Sequence, residues 1–389
     1  MKFKTGYCFL LLLFAFNQAI AQHIARVDNI KIQSKKLNQE REILVYTPTD
    51  YDYRINEFFE VIYVFDSQNR EFFDFTSSTI SFLTNATKNY IVVGITSPYN
   101  KELDYSRNND LLPVLQTGKS IERYGRYSGN ADNFLEYVTT EVIPFINSNY
   151  RTLNHPIAVG HSLGASFVLY SLVKKPNTFN NYIAISPNLA YEDEKLSKAL
   201  MDFDYKKIES FTYLYLSNAN EGIDYWEEWK PARKKVHSFL KDVLKEEKIA
   251  VEIADYSNNN HWNTFPPSLN NALEYYFTNI LEKQINELSK EDYDVTIRVK
   301  VPTENDTVYI TGNQSNLGEW NPGKIQMQKV SEYHREITLT LRSPAQFKFT
   351  RGDWDTEAVI KGTYGNAIIK PELNKEFNFE IQNYFDGEE

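Results

Sequence analysis

Hydrophobic positions along this chain change their period twice. Over 24–32 apolar residues alternate with polar ones, the mark of a half-buried strand, and a second strand-like stretch follows at 42–46. From residue 58 the alternation gives way to blocks. The runs FFEVIYVF (58–65) and YIVVGIT (90–96) are continuously apolar, and similar runs recur at 155–159, 182–186, 212–216 and 250–254. Runs of this length predict strands buried on both faces, as in a parallel sheet. Helical spacing falls between them, over 72–83, 130–147, 165–175 and 226–247. Pro266 and Pro267 open a further helix, with apolar residues at Leu269, Leu273, Phe277 and Ile280. Buried strands alternating with amphipathic helices predict an α/β domain with a mostly parallel sheet. After the charged break Lys290-Glu291-Asp292 the texture changes again. Val295, Ile297, Val299 and Val301 alternate with polar residues, and short strands are predicted at 308–311, 336–341, 346–350 and 377–381. Short strands without helices predict an all-β sandwich. The expected organisation is an α/β domain over 22–289 and a β-sandwich over 293–389.

Composition adds compartment and partner class. The chain has 389 residues, with 42% hydrophobic and 24% charged, an ordinary globular balance and a length suited to two domains. Lys2 and Lys4, the apolar run 8–16 and Ala19-Ile20-Ala21 predict a signal peptide over 1–21, and hence an exported protein, periplasmic or secreted. That run is too short to cross a bilayer, and no later stretch predicts a membrane span. Cleavage would remove Cys8, the only cysteine, so neither disulfide nor thiol chemistry is expected in the mature chain. The formal charge of −10 becomes more negative still when the two lysines leave. Such an acidic chain is a poor ligand for nucleic acid or anionic membranes, and a neutral substrate fits it better. No metal-ligand cluster or phosphate loop is visible, so no metal and no cofactor are expected.

The chemistry centres on Gly160-His161-Ser162-Leu163-Gly164. An apolar run precedes this Gly-x-Ser-x-Gly motif, and helical spacing (Phe167, Leu169, Tyr170, Leu172, Val173) follows it. Strand, sharp turn and helix are the setting of a nucleophile elbow. A serine hydroxyl needs an adjacent base, and with this motif the partners follow in the order Ser, acid, His. His23 lies too near the N-terminus, His155 opens the elbow strand at the far side of the sheet, and His161 points into the turn. His237 sits on a helix, where a solvated role is expected, and His334 falls in the β-domain. His261 lies in a polar loop after the last strand of the α/β domain and is assigned the base. The acid belongs after the strand 212–216, where Glu221 comes first and Asp224 stands in reserve. Two backbone N–H groups should complete an oxyanion hole. One is that of Leu163; the other is that of Ser67 or Gln68, after the strand ending at Phe65.

These segments resemble a known family. The run 58–66, Val92-Val93-Gly94-Ile95, Asn133-Phe134-Leu135, Ile143-Pro144-Phe145-Ile146, the elbow and Ile185-Ser186-Pro187 are similar to the esterase family of enterobactin esterases, itself akin to carbohydrate esterase family 1. The resemblance covers about residues 24–288. It implies an α/β-hydrolase fold and a serine esterase, with Ser162 as nucleophile, His261 as base and the acid at or near Glu221. Two departures stand out. The family's Arg-x-x-Asp-x-Thr-Pro reads Arg107, Asp110, Leu112, Pro113 here, and Asn188-Leu189-Ala190-Tyr191 replaces the usual Ser-x-Trp-Trp. Downstream, Val308 to Asn313, Leu317-Gly318-Glu319-Trp320-Asn321-Pro322 and Phe347-Lys348-Phe349 resemble the starch-binding domain of carbohydrate-binding module family 20. That resemblance implies a sugar platform of Trp320, Lys348 and Trp354, although the Asn-Arg pair expected after the second Trp is missing. The combined expectation is an exported serine esterase acting on acyl groups of a carbohydrate. Its β-domain would either tether it to a starch-like glycan or pack beside the active site. A siderophore esterase, and a glycan-binding protein with an inactive hydrolase domain, are the alternatives.

Overall fold

In the computed structural model, residues 25–84, 90–223, 226–243 and 248–386 are described. The expected signal peptide and Asp224 lie outside the described residues. Eight strands form one sheet: β1 (Arg26–Ser34), β2 (Gln39–Thr47), β3 (Glu60–Phe65), β4 (Tyr90–Ile95), β5 (Ile157–His161), β6 (Asn181–Ile185), β7 (Thr212–Asn218) and β8 (Ile249–Asp255). Their order is β1-β2-β4-β3-β5-β6-β7-β8. The hairpin β1/β2 and the β2/β4 pair are antiparallel, and from β4 to β8 every pairing is parallel. Every residue of β3, β4 and β5 is buried, as their unbroken apolar runs require. The order reverses between β3 and β5, so the crevice at their carboxyl ends is the topological switch point where open α/β sheets bind ligands.

Helices cover both faces: α1 (Arg70–Leu83), α2 (Arg107–Leu111), α3 (Gly118–Tyr124), α4 (Ala131–Tyr137), α5 (Ile143–Asn149), α6 (Leu163–Lys174), α7 (Tyr191–Asp202), α8 (Trp229–Val243), α9 (Phe265–Tyr275) and α10 (Leu281–Ile285). One core face packs Phe134, Val138, Phe167 and Leu169 on the sheet; the other packs Phe73, Ile80, Leu269 and Tyr276. The single helix expected over 130–147 is instead α4, a π-helical turn Val138–Val142 and α5. The widening sits just before Pro144, which has no N–H to give the preceding turn. The pattern did not predict α2, α3 or the polar α7, which are short or lack a clear apolar stripe.

Two buried histidines behave oppositely. His155 Nδ1 lies 3.0 Å from Glu60 Oε1; burial opposes its charge, but the carboxylate prevails and its pKa is raised. Its contribution is therefore fullest below about pH 6.5 and fades as pH rises through the raised value. His237, expected to be solvated, has its Nε2 shut away from water without a partner, and burial with nearby Arg233 lowers its pKa to about 4.

The remaining chain is a β-sandwich of strands β9 (Tyr293–Lys300), β10 (Tyr309–Gly312), β11 (Ile325–Gln326), β12 (Gln328–Ser331), β13 (His334–Leu341), β14 (Ala345–Thr350), β15 (Ala358–Ile360), β16 (Ala367–Ile369) and β17 (Glu376–Tyr384). A four-stranded sheet β11-β10-β14-β16 faces a five-stranded sheet β12-β13-β9-β17-β15. Phe347 of the first meets Phe379 of the second, ring centroids 5.2 Å apart. β10 falls where a strand was expected at 308–311, whereas β11, β12, β15 and β16, of two to four residues, are too short to show alternation and were not foreseen.

The sandwich docks on the segment before β3. Asn56 N–H donates to Gly362 O (3.1 Å), and Asn56 O accepts from Ile368 N–H (3.0 Å). The buried Glu57 carboxylate accepts from Arg54 and from the Tyr364 and Gly365 amides. Lys370 Nζ reaches Asn154 Oδ1, just before β5, at 3.0 Å. The sandwich therefore sits at the amino ends of the parallel strands, not beside their carboxyl ends. Among the described residues no helix is long and apolar enough to cross a membrane.

Because His237 takes up a proton on unfolding at pH values between about 4 and 6.5, it must destabilise the fold as the medium is acidified through that interval. Urea unfolding of His237→Phe at a series of pH values should show a shallower loss of stability from pH 6.5 to 4 than the parent chain. Equal slopes would contradict this assignment.

Candidate active site

β5 ends at His161 and α6 begins at Leu163, leaving Ser162 alone to turn the chain. Its backbone lies at φ 59°, ψ −121°, a conformation that side chains rarely adopt. Neighbours hold it there: Ser162 N–H donates to Ile185 O of β6 (3.0 Å), and Ser162 O accepts from Ser166 N–H (3.0 Å). The glycine before the turn is required sterically. A Cβ on Gly160 would sit 2.4 Å from the Gly164 carbonyl, which is backbone and cannot step aside. Leu163 opens a twelve-residue helix, so its N–H belongs to the unpaired first turn at the positive end of the dipole.

His261 and Glu221 meet across the carboxyl edge of the sheet. His261 Nδ1 lies 2.6 Å from Glu221 Oε1, and both side chains are buried, 7% and 1% exposed. The second carboxylate oxygen, Oε2, accepts from Ala219 N–H (2.8 Å) and from Arg233 Nη1 (3.2 Å). Burial favours the neutral acid, but the hydrogen bond and charge of His261 outweigh it and hold Glu221 below the usual carboxylate range. Arg233 had no sequence signal. It reaches the acid because it lies one turn after the buried Trp229, on the inner face of α8.

No hydrogen bond joins His261 to Ser162 among the described residues; the two are linked through His161. His161 Nε2–H donates to His261 O (2.8 Å), and the two rings lie 4.7 Å apart. Burial, with the neighbouring His261, lowers the His161 pKa to about 4, so at neutral pH it is an uncharged brace for the His261 loop. Trp226 and Trp229 stack at 4.6 Å and close over the other side of His261 at 4.7 and 5.4 Å. Trp262 lies 73% exposed beside it.

The turn after β3 packs against the start of α6, and here the two alternatives for the second donor are reduced to one. Ser67 N–H already donates to Ile95 O (3.1 Å) across the β3/β4 pair, so it is not available to an oxyanion. Among the described residues Gln68 N–H has no protein partner, while its side chain is pinned by Asp66 and Ser97, each at 2.8 Å. Asp66 turns the chain at φ 65° and is held by Arg107 Nε at 2.8 Å. Burial would raise the Asp66 pKa, but Arg107 lowers it below the ordinary range. Asp110, the other charged residue of the departed motif, is buried against Arg41 and Tyr105. The motif's two charges thus serve different braces, one under the Gln68 turn and one against β2.

Of the three expected sugar contacts in the sandwich, Lys348 lies on β14, while Trp320 and Trp354 lie on the segments after β10 and after β14. Thr350 Oγ1 donates to Pro322 O (2.7 Å), joining the Trp320 loop to the end of β14. Trp354 is 42% exposed and Trp320 half-buried, while the Lys348 amine is engaged by Glu357.

The family model described as "Putative esterase" matches residues 34–275, and the starch binding domain model matches 292–379. Among characterised proteins the chain is similar to ferri-bacillibactin esterase BesA of Bacillus subtilis (strain 168). The two are 26% identical over 200 residues, 48% of this chain and 66% of that protein, so the match spans just under two thirds of the relative. Among solved structures it is similar to an IroE-like serine hydrolase from Shewanella oneidensis, with TM-score 0.54 and 21% identity over 65% of this chain and 80% of that one. The BES protein from Bacillus cereus gives TM-score 0.54 and 21% identity over 64% and 94%. At these identities the structural likeness establishes the fold.

Two substitutions test the geometry. Gly160→Ala should lower stability by about 1–3 kcal/mol or more, read from urea unfolding, because the added methyl meets backbone. Arg233→Met should loosen Glu221, so the low-field resonance of the His261 Nδ1 proton broadens by exchange with water, whereas Arg233→Lys should retain it. An unchanged resonance in Arg233→Met would remove Arg233 from the positioning of the acid.

Proposed function

The chain belongs to this esterase family, and we propose that it is an exported serine esterase that hydrolyses carboxylic esters through an acyl-enzyme. The observation that most supports this reading is the 2.6 Å contact of Glu221 with His261 on the loop braced against the strained Ser162 turn. In this scheme Ser162 Oγ attacks the ester carbonyl carbon while its proton passes to His261 Nε2. Glu221 accepts the Nδ1 hydrogen bond throughout and stabilises the imidazolium. The Leu163 and Gln68 N–H groups receive the oxyanion; one such donor is worth about 10²–10³ in turnover. Collapse breaks the bond between the carbonyl carbon and the alcohol oxygen, and His261 returns its proton to the departing alcohol. Water then attacks the acyl-serine by the same route and releases the acid. The missing Ser162–His261 hydrogen bond closes when substrate is bound, as such bonds do in many hydrolases.

For the substrate, the starch binding domain favours an acylated carbohydrate, with Trp320, Lys348 and Trp354 contacting a starch-like glycan. The sandwich docks away from the elbow, which favours a tether over a domain that shapes the pocket. The second reading, a siderophore ester, is favoured by the ferri-bacillibactin esterase relative. No cofactor enters this chemistry.

Wild type should hydrolyse p-nitrophenyl acetate, and Ser162→Ala should reduce kcat/KM at least about 10⁴-fold. Wild-type turnover no faster than that of Ser162→Ala would overturn the esterase reading and leave a glycan-binding protein.

A further inference from the structure

A cavity of about 180 Å³ lies between α3, the start of α7 and the start of α8. Lys119, Arg123, Tyr124, Asn188, Asp193 and Glu228 line it. One of its lining residues is connected to His261 through Trp226. The Arg123 guanidinium lies 5.9 Å over the Trp226 ring, and that ring meets His261 at 4.7 Å. Asn188 O accepts from Ser166 Oγ of α6 (2.8 Å), which ties the cavity wall to the helix behind Ser162.

The wall is built at the expense of backbone strain. Glu192, Asp193 and Glu194 stand in succession at φ 53°, 51° and 61°, a left-handed turn of three residues none of which is glycine. Such a turn persists only where its surroundings over-determine it, and strain of this kind gathers at ligand sites. Here Glu192 supplies the restraint. Its buried carboxylate accepts from the Gln116 and Thr117 N–H groups and from Thr117 Oγ1, and its own N–H donates to Ser120 Oγ (2.9 Å). The result presents the exposed Asp193 to the cavity, opposite α3.

We propose that this cavity is a subsite for a single neutral, hydroxyl-rich ring, the sugar portion of the ester. The proposal rests on the esterase reading of Ser162. The size suits one ring, since pockets for drug-sized ligands run to roughly 300–1,000 Å³. Charge points the same way. Lys119 and Arg123 are already paired with Glu228, and with Asp193 and Glu194 also present the lining has no excess of positive charge for an anionic siderophore ligand. Carboxylates beside an arginine suit vicinal hydroxyls, which both donate and accept. Asp193 and Glu228 would accept from the ring, Arg123 would donate to it, and Trp226 would border it on the side of His261.

The test compares 6-O-acetyl methyl glucoside with p-nitrophenyl acetate in wild type, Asp193→Asn and Glu228→Gln. Loss of one charge-assisted hydrogen bond should lower the ratio of the two kcat/KM values about tenfold in each variant, through KM. Methyl glucoside should also inhibit wild-type p-nitrophenyl acetate turnover competitively, and Asp193→Asn should weaken that inhibition at least about fivefold. An unchanged ratio in both variants would overturn the subsite. So would a wild type that cleaves p-nitrophenyl acetate but neither cleaves the acetyl glucoside nor is inhibited by methyl glucoside; the esterase reading would survive that result. A wild type no faster than Ser162→Ala on p-nitrophenyl acetate defeats the esterase reading itself.

Discussion

Ser162 carries the whole reversal from β5 to α6, and the rest of the site is arranged around that strained residue. The turn is possible because β5 and α6 approach so closely that a methyl group on Gly160 would collide with the Gly164 backbone. The same closeness brings Gly164 against Asp66: a Cβ there would lie 3.0 Å from the carboxylate. The turn after β3 is thereby registered against the start of α6. Strain at one residue is offset by the packing of two elements, which is why it persists.

Charge completes what packing begins. Asp66 with Arg107, Asp110 with Arg41, and Glu221 with His261 and Arg233 are buried or half-buried groups drawn from distant parts of the chain. A buried charge is tolerated only when paired, so each carboxylate selects one partner and one loop position. These pairs are weak arguments for stability but strong ones for position. They hold the Gln68 turn, the α2 segment and the acid loop where a chain without them would carry unsatisfied charge. His161 extends the same logic without charge. Kept neutral by burial, it donates one hydrogen bond to the backbone of His261 and sets where the neighbouring ring stands.

The second domain is placed by a different device. Asn56 exchanges backbone hydrogen bonds with both Gly362 and Ile368, and Glu57 gathers two amides of the sandwich under the buried Arg54. Contacts of this kind fix an orientation, so the sandwich is not merely strung on a linker. Since they lie before β3 and β5, they leave the carboxyl ends of the strands to α3, the α7 turn and the tryptophans of the 226–229 segment. Whatever the sandwich binds, it does so without forming a wall of the Ser162 site.

Residue pattern alone determined the α/β domain, the following β-sandwich and the elbow, because continuous buried strands and the Gly-x-Ser-x-Gly turn are local properties of the chain. It also singled out His261 and Glu221, since their loops follow strands whose order along the chain matches their order in the sheet; the structure sets these two side chains against each other. What the pattern could not decide depends on partners far away in sequence. Ser67 and Gln68 are equivalent until β4 pairs with β3 and Ile95 takes the Ser67 N–H. His237 reads as solvated until tertiary packing shuts off its Nε2. Arg233, Trp226 and the left-handed turn at Glu192 carry no local signature, because each owes its position to a group 12 to 76 residues away. Only the folded chain brings those groups together, for it is there that burial makes an unpaired polar atom costly.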